Sequence, residues 1–283
     1  MLTSLSSAVT GLDAFQQDMD VIGNNIANVD TTGFKAASVD FADAFYQTFR
    51  GPGPSNATTS GSSSIQVGTG VGVAGINNNW NQGALNNTGV TSDLGISGNG
   101  FFIVRDTINN AQYATRAGAF TLDANGYLVT DTGERVQGFS DAGLTTLGDI
   151  KIDTTGMPAT SSPTAAVQSY GIDVLGRITV NLSDGTSFVR GQILLQNFQD
   201  PNELISEGNN LFSNMAAAGP LAALTTPGAA GLGNIQSGAL ESSNVDLAGE
   251  MSNLIIAQRG FEANSKIITT SDEVLQTLVN MKR

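Results

Sequence analysis

The side chains best suited to acid–base chemistry in this chain are carboxylates, because histidine and cysteine are both absent. Three of them, Asp149, Asp153 and Asp173, lie in the middle of the chain without a fixed spacing. Two carboxylates can act as general acid and base, but such aspartates more often cap turns or face solvent. Zinc and copper sites draw on histidine or cysteine. We therefore predict no enzyme activity and no catalytic, cofactor-binding or metal-binding residues.

A glycine-rich motif at residues 70–75 has the sequence GVGVAG and matches the G-x-G-x-x-G string of dinucleotide-binding proteins. That motif functions between a strand and the N-terminus of a helix. Here a serine-rich segment precedes it, and three asparagines and Trp80 follow it. We interpret these glycines as turn or strand residues, and we predict no cofactor.

Charge and hydropathy restrict the partners of the chain. The net charge is −13, from 12 Lys and Arg against 25 Asp and Glu. That excess of acid argues against nucleic acid and anionic membranes as partners. No apolar run reaches the roughly 18 residues of a transmembrane helix, so no membrane insertion is predicted. The first residues lack a basic n-region, and we predict no cleavable secretory signal.

The elements that position these side chains begin with a predicted helix at residues 243–283. Its apolar residues recur in heptad spacing, and proline is absent, so one amphipathic helix of roughly 55 Å is expected. Ser243 and Asp246 resemble a capping box at its start. The heptad positions are Leu247, Leu254, Phe261, Ile268 and Leu275, with Met251, Ala257, Leu278 and Val279 widening the stripe.

A second heptad pattern covers residues 1–33. Gly11 and Gly23 lie inside it and each costs about 1 kcal/mol relative to alanine, so packing must support this helix. Gly33 is a candidate for the residue that ends it. The apolar positions are Leu5, Ala8, Leu12, Phe15, Met19, Ile22 and Ile26.

The chain between the two helical ends is predicted to form short antiparallel strands. Residues 101–104 form a buried run, and residues 120–123 and 127–130 flank Asn125-Gly126, a strong hairpin signal. A second hairpin is expected around residues 183–186. Residues 141–170 are predicted to form an irregular lobe and residues 214–233 a small-residue linker. Spacing leaves residues 34–50 open between a short helix and an extended arm.

These patterns predict an α+β fold, in which N- and C-terminal helices form a coiled-coil-like core beside a central, mostly antiparallel β domain. We assign residues 1–50 to the N-terminal helix and arm and residues 51–75 to a flexible Gly/Pro/Ser loop. Residues 76–235 form the β domain and residues 236–283 the C-terminal helical segment. Amphipathic helices usually pack within their own chain, but terminal position also suits polymerisation, and periodicity leaves both interpretations open.

Several motifs resemble those of the bacterial flagellar rod and hook proteins. Near the N-terminus they are Asn24-Asn25-x-Ala27-Asn28 and Thr32-Gly33-Phe34-Lys35. Gly98-Asn99-Gly100-Phe101-Phe102 and Thr115-Arg116-Ala117-Gly118-Ala119-Phe120 resemble the central β motifs. Near the C-terminus are Leu240-Glu241-x-Ser243-Asn244-Val245-Asp246, Ala257-Gln258-Arg259-Gly260-Phe261 and Asn264-Ser265-Lys266.

Within this family, residues 257–283 and 136–139 resemble small hook proteins, so we expect a hook subunit. The distal rod protein is the alternative, because a rod-type extra segment can follow residues 45–48. The resemblance implies export through the flagellar secretion apparatus and polymerisation into a hollow helical tube of the flagellum outside the cell. A hook of this kind acts as a universal joint that transmits motor torque.

The resemblance further implies that a subunit of this kind binds copies of itself, adjacent rod and hook–filament junction proteins, and the hook cap and export apparatus during assembly. The residues predicted to mediate self-assembly are Leu5, Leu12, Phe15, Met19, Ile22, Asn25, Ile26, Asn28, Leu247, Met251, Leu254, Gln258, Arg259, Phe261, Ile268 and Leu275. A competing hypothesis is a secreted β-rich adhesin or enzyme whose end helices form a simple stalk.

Overall fold

A computed structural model of the protein describes residues 2–53, 61, 63–159, 161–162, 164–221 and 223–281. Much of the predicted Gly/Pro/Ser loop, residues 54–60 and 62, lies outside these described residues. The chain forms two compact units. The helical unit comprises the described residues within 1–27, 36–79 and 245–283, and the β unit comprises residues 28–35 and those described within 80–244.

The helical unit contains both long helices, α1 (Leu2–Ala27) and α2 (Leu247–Met281). They run antiparallel, because Gly11 lies against Asn264 and residues 25 and 250 are hydrogen bonded. The start of α2 is capped by Asp246, whose side chain accepts from the backbone N–H of Ala248 at 3.1 Å. This fixes the first turn of α2 at residue 247, after the predicted cap at residue 243.

The described residues of the helical unit also form four strands: β1 (Ala37–Asp43), β2 (Tyr46–Arg50), β3 (Ile65–Gly68) and β4 (Val71–Asn78). β1 pairs with β4 and β2 pairs with β3, both antiparallel. Residues 37–50 are therefore extended, which settles the choice left open by the sequence. The predicted loop at residues 51–75 includes strand residues from 65 onward, because these residues complete two ladders. The GVGVAG motif lies at the start of β4 with no helix after it, so the structure does not support dinucleotide binding there.

The β unit contains sixteen strands among the described residues. They are β5 (Leu85–Asn87), β6 (Leu94–Ser97), β7 (Phe101–Arg105), β8 (Gln112–Thr115), β9 (Thr121–Leu122), β10 (Leu128–Val129), β11 (Arg135–Phe139), β12 (Leu147–Asp149), β13 (Val167–Ile172), β14 (Arg177–Leu182), β15 (Ser187–Ile193), β16 (Leu195–Gln196), β17 (Ile205–Gly208), β18 (Leu211–Ser213), β19 (Asn234–Ser237) and β20 (Ala239–Glu241), with a 3₁₀ turn at Pro201–Glu203.

Twelve of these strands form one antiparallel sheet. Its main path runs β13-β14-β15-β11-β7-β8-β18-β17, and β9, β10, β12 and β16 pair at its sides. Two further ladders join β6 to β19 and β5 to β20. Residues 234–237 and 239–241 are therefore strands, and the C-terminal segment predicted from residue 236 becomes helical only at residue 247. β12 and β13 likewise show that the predicted irregular lobe contributes two strands to the sheet.

Two hydrophobic clusters fill the β unit. The larger one is built around fully buried residues such as Phe102, Phe120 and Ile178. The smaller one includes Phe101 and Phe212, and the Trp80 ring packs edge-on against both, with centroids 5.3 and 5.1 Å away. Apolar residues that alternate along the strands thus meet in continuous cores.

Both hairpins expected from turn chemistry are present. β9 pairs with β10 around Gly126, which has φ of +84°, and β14 pairs with β15 around Gly185, with φ of +83°. These glycines supply the left-handed conformation that such turns require. The prediction of an α+β fold with terminal helices and an antiparallel β middle is confirmed.

Gly33 has a different role from the predicted one. α1 already ends at Ala27, and Gly33 lies in the β unit with φ of +70°. A Cβ there would lie 2.7 Å from the backbone nitrogen of Ala117. The Gly33 N–H donates to the Glu241 carbonyl at 2.7 Å. Gly33 is therefore required by close backbone packing, and the prediction that it terminates α1 was wrong.

Candidate assembly surface

The first predicted assembly stripe lies along α1, where it is only partly covered. Within the helical unit Ile22 and Asn25 are buried, and Asn28 is half-buried in the β unit. The remaining predicted positions are half-buried; they are Leu5, Leu12, Phe15, Met19 and Ile26. The structure thus places these residues on or beside one packed face, and their role in assembly stays a prediction.

The second predicted stripe, on α2, is more exposed. Leu254, Phe261 and Ile268 are half-buried within the helical unit. Five other predicted positions are exposed: Leu247, Met251, Gln258, Arg259 and Leu275. Of these five, only Leu247 and Leu275 are seventh-residue positions, and they lie toward the two ends of α2. In the middle of the helix, the half-buried heptad residues share one face with Ala257, Asn264 and Ser271.

Glycines allow the two helices to approach closely at two points. A Cβ on Gly260 would lie 2.5 Å from the Phe15 ring, and one on Gly11 would lie 2.6 Å from the Asn264 amide. A Cβ on Gly23, by contrast, would have no described atom within 4 Å beyond its neighbouring residues and the local helix backbone. Glycine therefore allows close contact between the two helices at Gly11 and Gly260. At Gly249 the near atoms belong to Asp246 of the same segment.

Asn25 connects three elements of the helical unit. Its Nδ2 donates to the Ala37 carbonyl at 2.8 Å and to Glu250 Oε1 at 3.2 Å. Its Oδ1 accepts from the Ala37 N–H at 2.9 Å. The buried amide therefore bonds both backbone groups of the first β1 residue while it binds the start of α2. This geometry gives Asn25 a positioning role within one chain.

Beside Asn25 lies a pocket of about 290 Å³ between α1, α2 and β1, which we call the acidic pocket. Its walls include Ile22, Val39, Phe41 and Ile256, and its carboxylates are Asp18 and Glu250. Burial raises the pKa of Asp18 above its usual value. Burial also raises the pKa of Glu250, against the hydrogen bond from Asn25, and the nearby charge of Asp18 adds to the rise.

The far end of α2 has no partner among the described residues of the chain. Every residue from Asp272 to Met281 is exposed, and we call this stretch the distal segment. Its apolar side chains cover a helix face about 160° wide at 100° per residue; they are Val274, Leu275, Leu278, Val279 and Met281. Apolar surface of this kind marks an interaction site.

The paired strands β2 and β3 carry a further exposed apolar surface. Phe45, just before β2, is 91% exposed. Tyr46, Phe49, Ile65 and Val67 are exposed as well. A cluster of exposed aromatic and aliphatic side chains marks an interaction site. The β2–β3 pair, which we call the arm, is therefore a second candidate contact surface.

The three aspartates considered for catalysis are occupied by structural contacts. Asp149 binds Arg105 at 2.6 Å and Arg135 at 3.2 Å, while Asp153 binds Arg190 at 2.6 Å. Burial alone would raise both pKa values, but these hydrogen bonds outweigh it, so both are lowered, that of Asp153 to about 2. Carboxylates held ionised in this way are poor general acids.

Asp173, the third candidate, accepts a hydrogen bond from the next backbone N–H at 2.7 Å and begins the turn before β14. No group of three or more Asp, Glu, His or Cys residues suited to a metal ion occurs within the part of the chain that the structure describes. Neither described helix is long and apolar enough to span a membrane.

A buried ionic cluster in the β unit was not anticipated from the sequence. Glu241 lies 2.6 Å from Lys35 and 3.3 Å from Arg116, and all three side chains are at most 4% exposed. Glu241 also accepts from the Gly83 N–H at 2.9 Å. Burial lowers the pKa values of Lys35 and Arg116, although Glu241 opposes both shifts. We call these three residues the ionic cluster.

The ionic cluster joins three distant segments of the chain. Lys35 follows α1 in sequence, Arg116 follows β8, and Glu241 ends β20. All three lie in the motifs quoted above, in a chain with only 13% charged residues. Charged residues within these motifs, next to apolar strands, were the sequence signal for such a cluster, because burying a charge costs free energy unless it is paired.

Three family models match the chain. Residues 5–35 match the model described as "Flagella basal body rod protein". Residues 95–180 match "Flagellar hook protein FlgE/F/G D1 domain". Residues 236–281 match "Flagellar basal body rod FlgEFG protein C-terminal".

Curated relatives align over the full chain. The sequence is 43% identical to the flagellar basal-body rod protein FlgG of Bacillus subtilis, with 100% of both chains covered. It is 35% identical to the rod protein FlgG of Borreliella burgdorferi, again over 100% of both chains. Identity to the flagellar hook protein FlgE of the same organism is 29% over 444 aligned positions.

Among solved structures, the crystal structure of the Helicobacter pylori flagellar hook protein FlgE2 shows a weak likeness. The TM-score is 0.23 at 14% identity, covering 46% of this chain and 39% of that one. This likeness is too weak to carry an argument about the fold.

Proposed function

The chain belongs to the family of flagellar basal-body rod and hook proteins, and from this premise we propose that it is a distal rod subunit. The observation that carries the proposal is full-length similarity to rod proteins, at 43% and 35% identity. Hook identity is the less supported alternative. The hook relative aligns at 29% over 444 positions, against 283 residues in this chain, so that alignment contains long gaps.

The proposed role is structural. The subunit polymerises with copies of itself into a tubular shaft that transmits torque in the flagellum. The half-covered stripes of α1 and α2 support this proposal, because polymerisation would bury apolar side chains that a single chain leaves in water. Each buried Å² contributes about 25 cal/mol, offset by the cost of ordering the contacting side chains.

The exposed arm formed by β2 and β3 supports a rod more than a hook. It includes residues 45–48 and the strand that follows them, the place where a rod-type extra segment is expected for the rod alternative. Its aromatic side chains are suited to contacts with a neighbouring subunit. A shaft that rotates without bending needs such additional contacts, whereas a flexible joint needs fewer.

The β unit fits a load-bearing role without catalysis. Its candidate carboxylates are held in ion pairs with arginine, and its cores are continuous. We propose that the partners are further copies of this chain and the adjacent rod and hook proteins, with the export apparatus acting before assembly.

Immunogold labelling of detergent-extracted flagella tests the assignment. An epitope tag in the loop near Ile108, which is exposed in the β unit, provides the label. We expect gold on the straight shaft below the hook. Gold confined to the curved segment would instead establish the hook alternative, and an untagged strain controls for background.

A further inference from the structure

The distal segment and the acidic pocket have complementary properties. The pocket offers apolar walls, from residues such as Val39 and Ile256, beside the two carboxylates Asp18 and Glu250. The distal segment offers five exposed apolar side chains and is followed in sequence by Lys282 and Arg283. An apolar surface next to two cations is the partner expected for such a pocket.

The charged side chains that line the pocket are both acidic, and Arg259, which follows Ile256 by three residues on α2, is paired with Glu262 at 2.8 Å. Residues 2–27, 36–49 and 245–258 contain seven acidic residues and no lysine or arginine; the acidic residues are Asp13, Asp18, Asp20, Asp40, Asp43, Asp246 and Glu250. In the distal segment, Asp272 and Glu273 lie at the end nearer the pocket along α2, and the cations follow the other end. An approach with the cationic end leading is therefore favoured electrostatically.

A single chain cannot bring the two surfaces together. Glu250 and Leu278 lie on the same helix, 28 residues apart, which corresponds to about 42 Å at 1.5 Å per residue. The observed register, with Phe15 against Gly260, places Leu2 opposite about residue 273 when extended along both helices. The distal segment therefore extends past the described part of α1, where its apolar side chains are available to a second chain.

We propose that the distal segment of one subunit docks in the acidic pocket of the next subunit, displaced by about 40–45 Å along the helix axis. The inference rests on the proposed function, because it specifies one contact of the polymer. The contact is heterologous, and the displacement along the helix axis prevents closure into a ring, so the repeated contact generates a filament. An incoming cation would also offset the burial that raises the pKa values of Asp18 and Glu250.

Disulfide cross-linking tests the contact directly, because the chain has no cysteine of its own. The variant carries Asn253→Cys in the pocket wall and Met281→Cys in the distal segment, a pair that matches the proposed displacement. An intrachain bond is excluded, since these residues are about 42 Å apart along one helix and a disulfide requires Cα atoms within about 7 Å. Flagella extracted from cells are oxidised and analysed on non-reducing gels with an antibody to the chain.

We expect a ladder of dimers, trimers and larger species from the double variant. Each single-cysteine variant should give dimers at most, because one thiol per chain cannot extend a ladder. Assembled flagella that show no ladder beyond the single variants would overturn the inference. A ladder together with gold on the curved segment would keep the inference while refuting the rod assignment.

A charge exchange keeps the test decisive if cysteine substitution impairs assembly. Asp18→Lys, and separately Lys282→Glu with Arg283→Glu, should each lower the yield of sedimentable polymer about tenfold, or 1.4 kcal/mol; Glu250 is kept because it accepts the hydrogen bond from Asn25. Combining both sets should restore the yield to within about threefold of the wild type. Asp20→Lys, on α1 but outside the pocket, should change little. Failure of the combined variant to recover would overturn the inference.

Discussion

In the helical unit, most large side chains of the far half of α2 lie in water, whereas in the β unit the large side chains meet in two buried clusters. Charge is distributed differently as well. Six ion pairs lie in the β unit, and a single exposed pair, Arg259 with Glu262, occurs among the described residues of the helical unit.

This contrast shows which unit is complete on its own. The β unit pairs its buried cations with carboxylates and packs its largest apolar side chains into two clusters, as an independent domain does, although the Nε atoms of Arg105 and Arg116 have no hydrogen-bond partner. The helical unit leaves apolar groups for another molecule to cover. Changes in the β unit should therefore alter the stability of the single chain, and changes in the helical unit should mainly alter association.

The largest expected effect comes from the ionic cluster. Glu241→Gln leaves the Lys35 and Arg116 cations buried without a carboxylate, and breaking such a pair costs about 3–5 kcal/mol. Urea unfolding followed by fluorescence of Trp80, the only tryptophan, reports on the β unit. The far-ultraviolet helical signal should change less.

Glu262→Gln is the matched control, because it removes the same charge from an exposed pair. Exposed pairs of this kind contribute little. Equal unfolding midpoints for the two variants would contradict the contrast between the units.

The next effect concerns the close contact between α1 and α2. Gly260→Leu places a side chain against the Phe15 ring, where a Cβ alone would lie 2.5 Å away. Overpacking of this kind costs about 1–3 kcal/mol, although leucine is the better helix former. Thermal melting of the helical signal should shift downward while Trp80 fluorescence is retained. A coincident loss of both signals would show that the two units unfold together.

Acid should affect the two units in opposite directions. The pKa of Asp153 is lowered to about 2 and that of Asp149 is lowered as well, so the β unit loses stability as pH falls from about 4 toward about 2. The pKa values of Asp18 and Glu250 are raised, so the helical unit gains stability as pH falls through them.

Urea titrations at about pH 7 and about pH 3, with fluorescence and circular dichroism recorded together, measure both trends. With no histidine in the chain, neither unit should change much between about pH 6 and pH 8. Parallel destabilisation of the two signals in acid would rule out the opposing shifts.

The smallest effect is expected at Gly23. It lies inside α1, and beyond the neighbouring residues and the local helix backbone no described atom lies within 4 Å of the position that a Cβ would occupy there. Gly23→Ala should therefore stabilise the helical unit by about 0.5–1 kcal/mol through helix propensity. A small rise in the melting temperature of the helical signal is the measurement. A decrease would show that position 23 is already packed in the single chain.

Local sequence patterns predicted much of the fold. The hairpins at Gly126 and Gly185 were predictable, because their turns require a left-handed residue at a known position. Both helices were predictable from periodicity, since many residues contribute to one pattern. The boundary at residue 247 was missed because strand pairing of residues 239–241 takes precedence over the helical pattern.

Contacts between distant segments could not be predicted in the same way. Lys35 and Glu241 are 206 positions apart, and sequence spacing gives no distance between them. The acidic pocket likewise requires α1, β1 and α2 to be placed together. Among the predicted assembly residues, Asn25 was named from a motif, and the structure shows a buried amide that bonds Ala37 and Glu250.

The hydrogen bond between Asn25 and Glu250 spans 225 positions of the chain, and this separation sets an order of events. If the polypeptide emerges from a narrow conduit with its first residues leading, α1 arrives long before the helix it packs against. The β unit can condense in the meantime, because its strands lie between the two. Each subunit can then assemble with its neighbours only after residues 247–281 have emerged. The order of emergence therefore sets the time of assembly, and no separate trigger is needed.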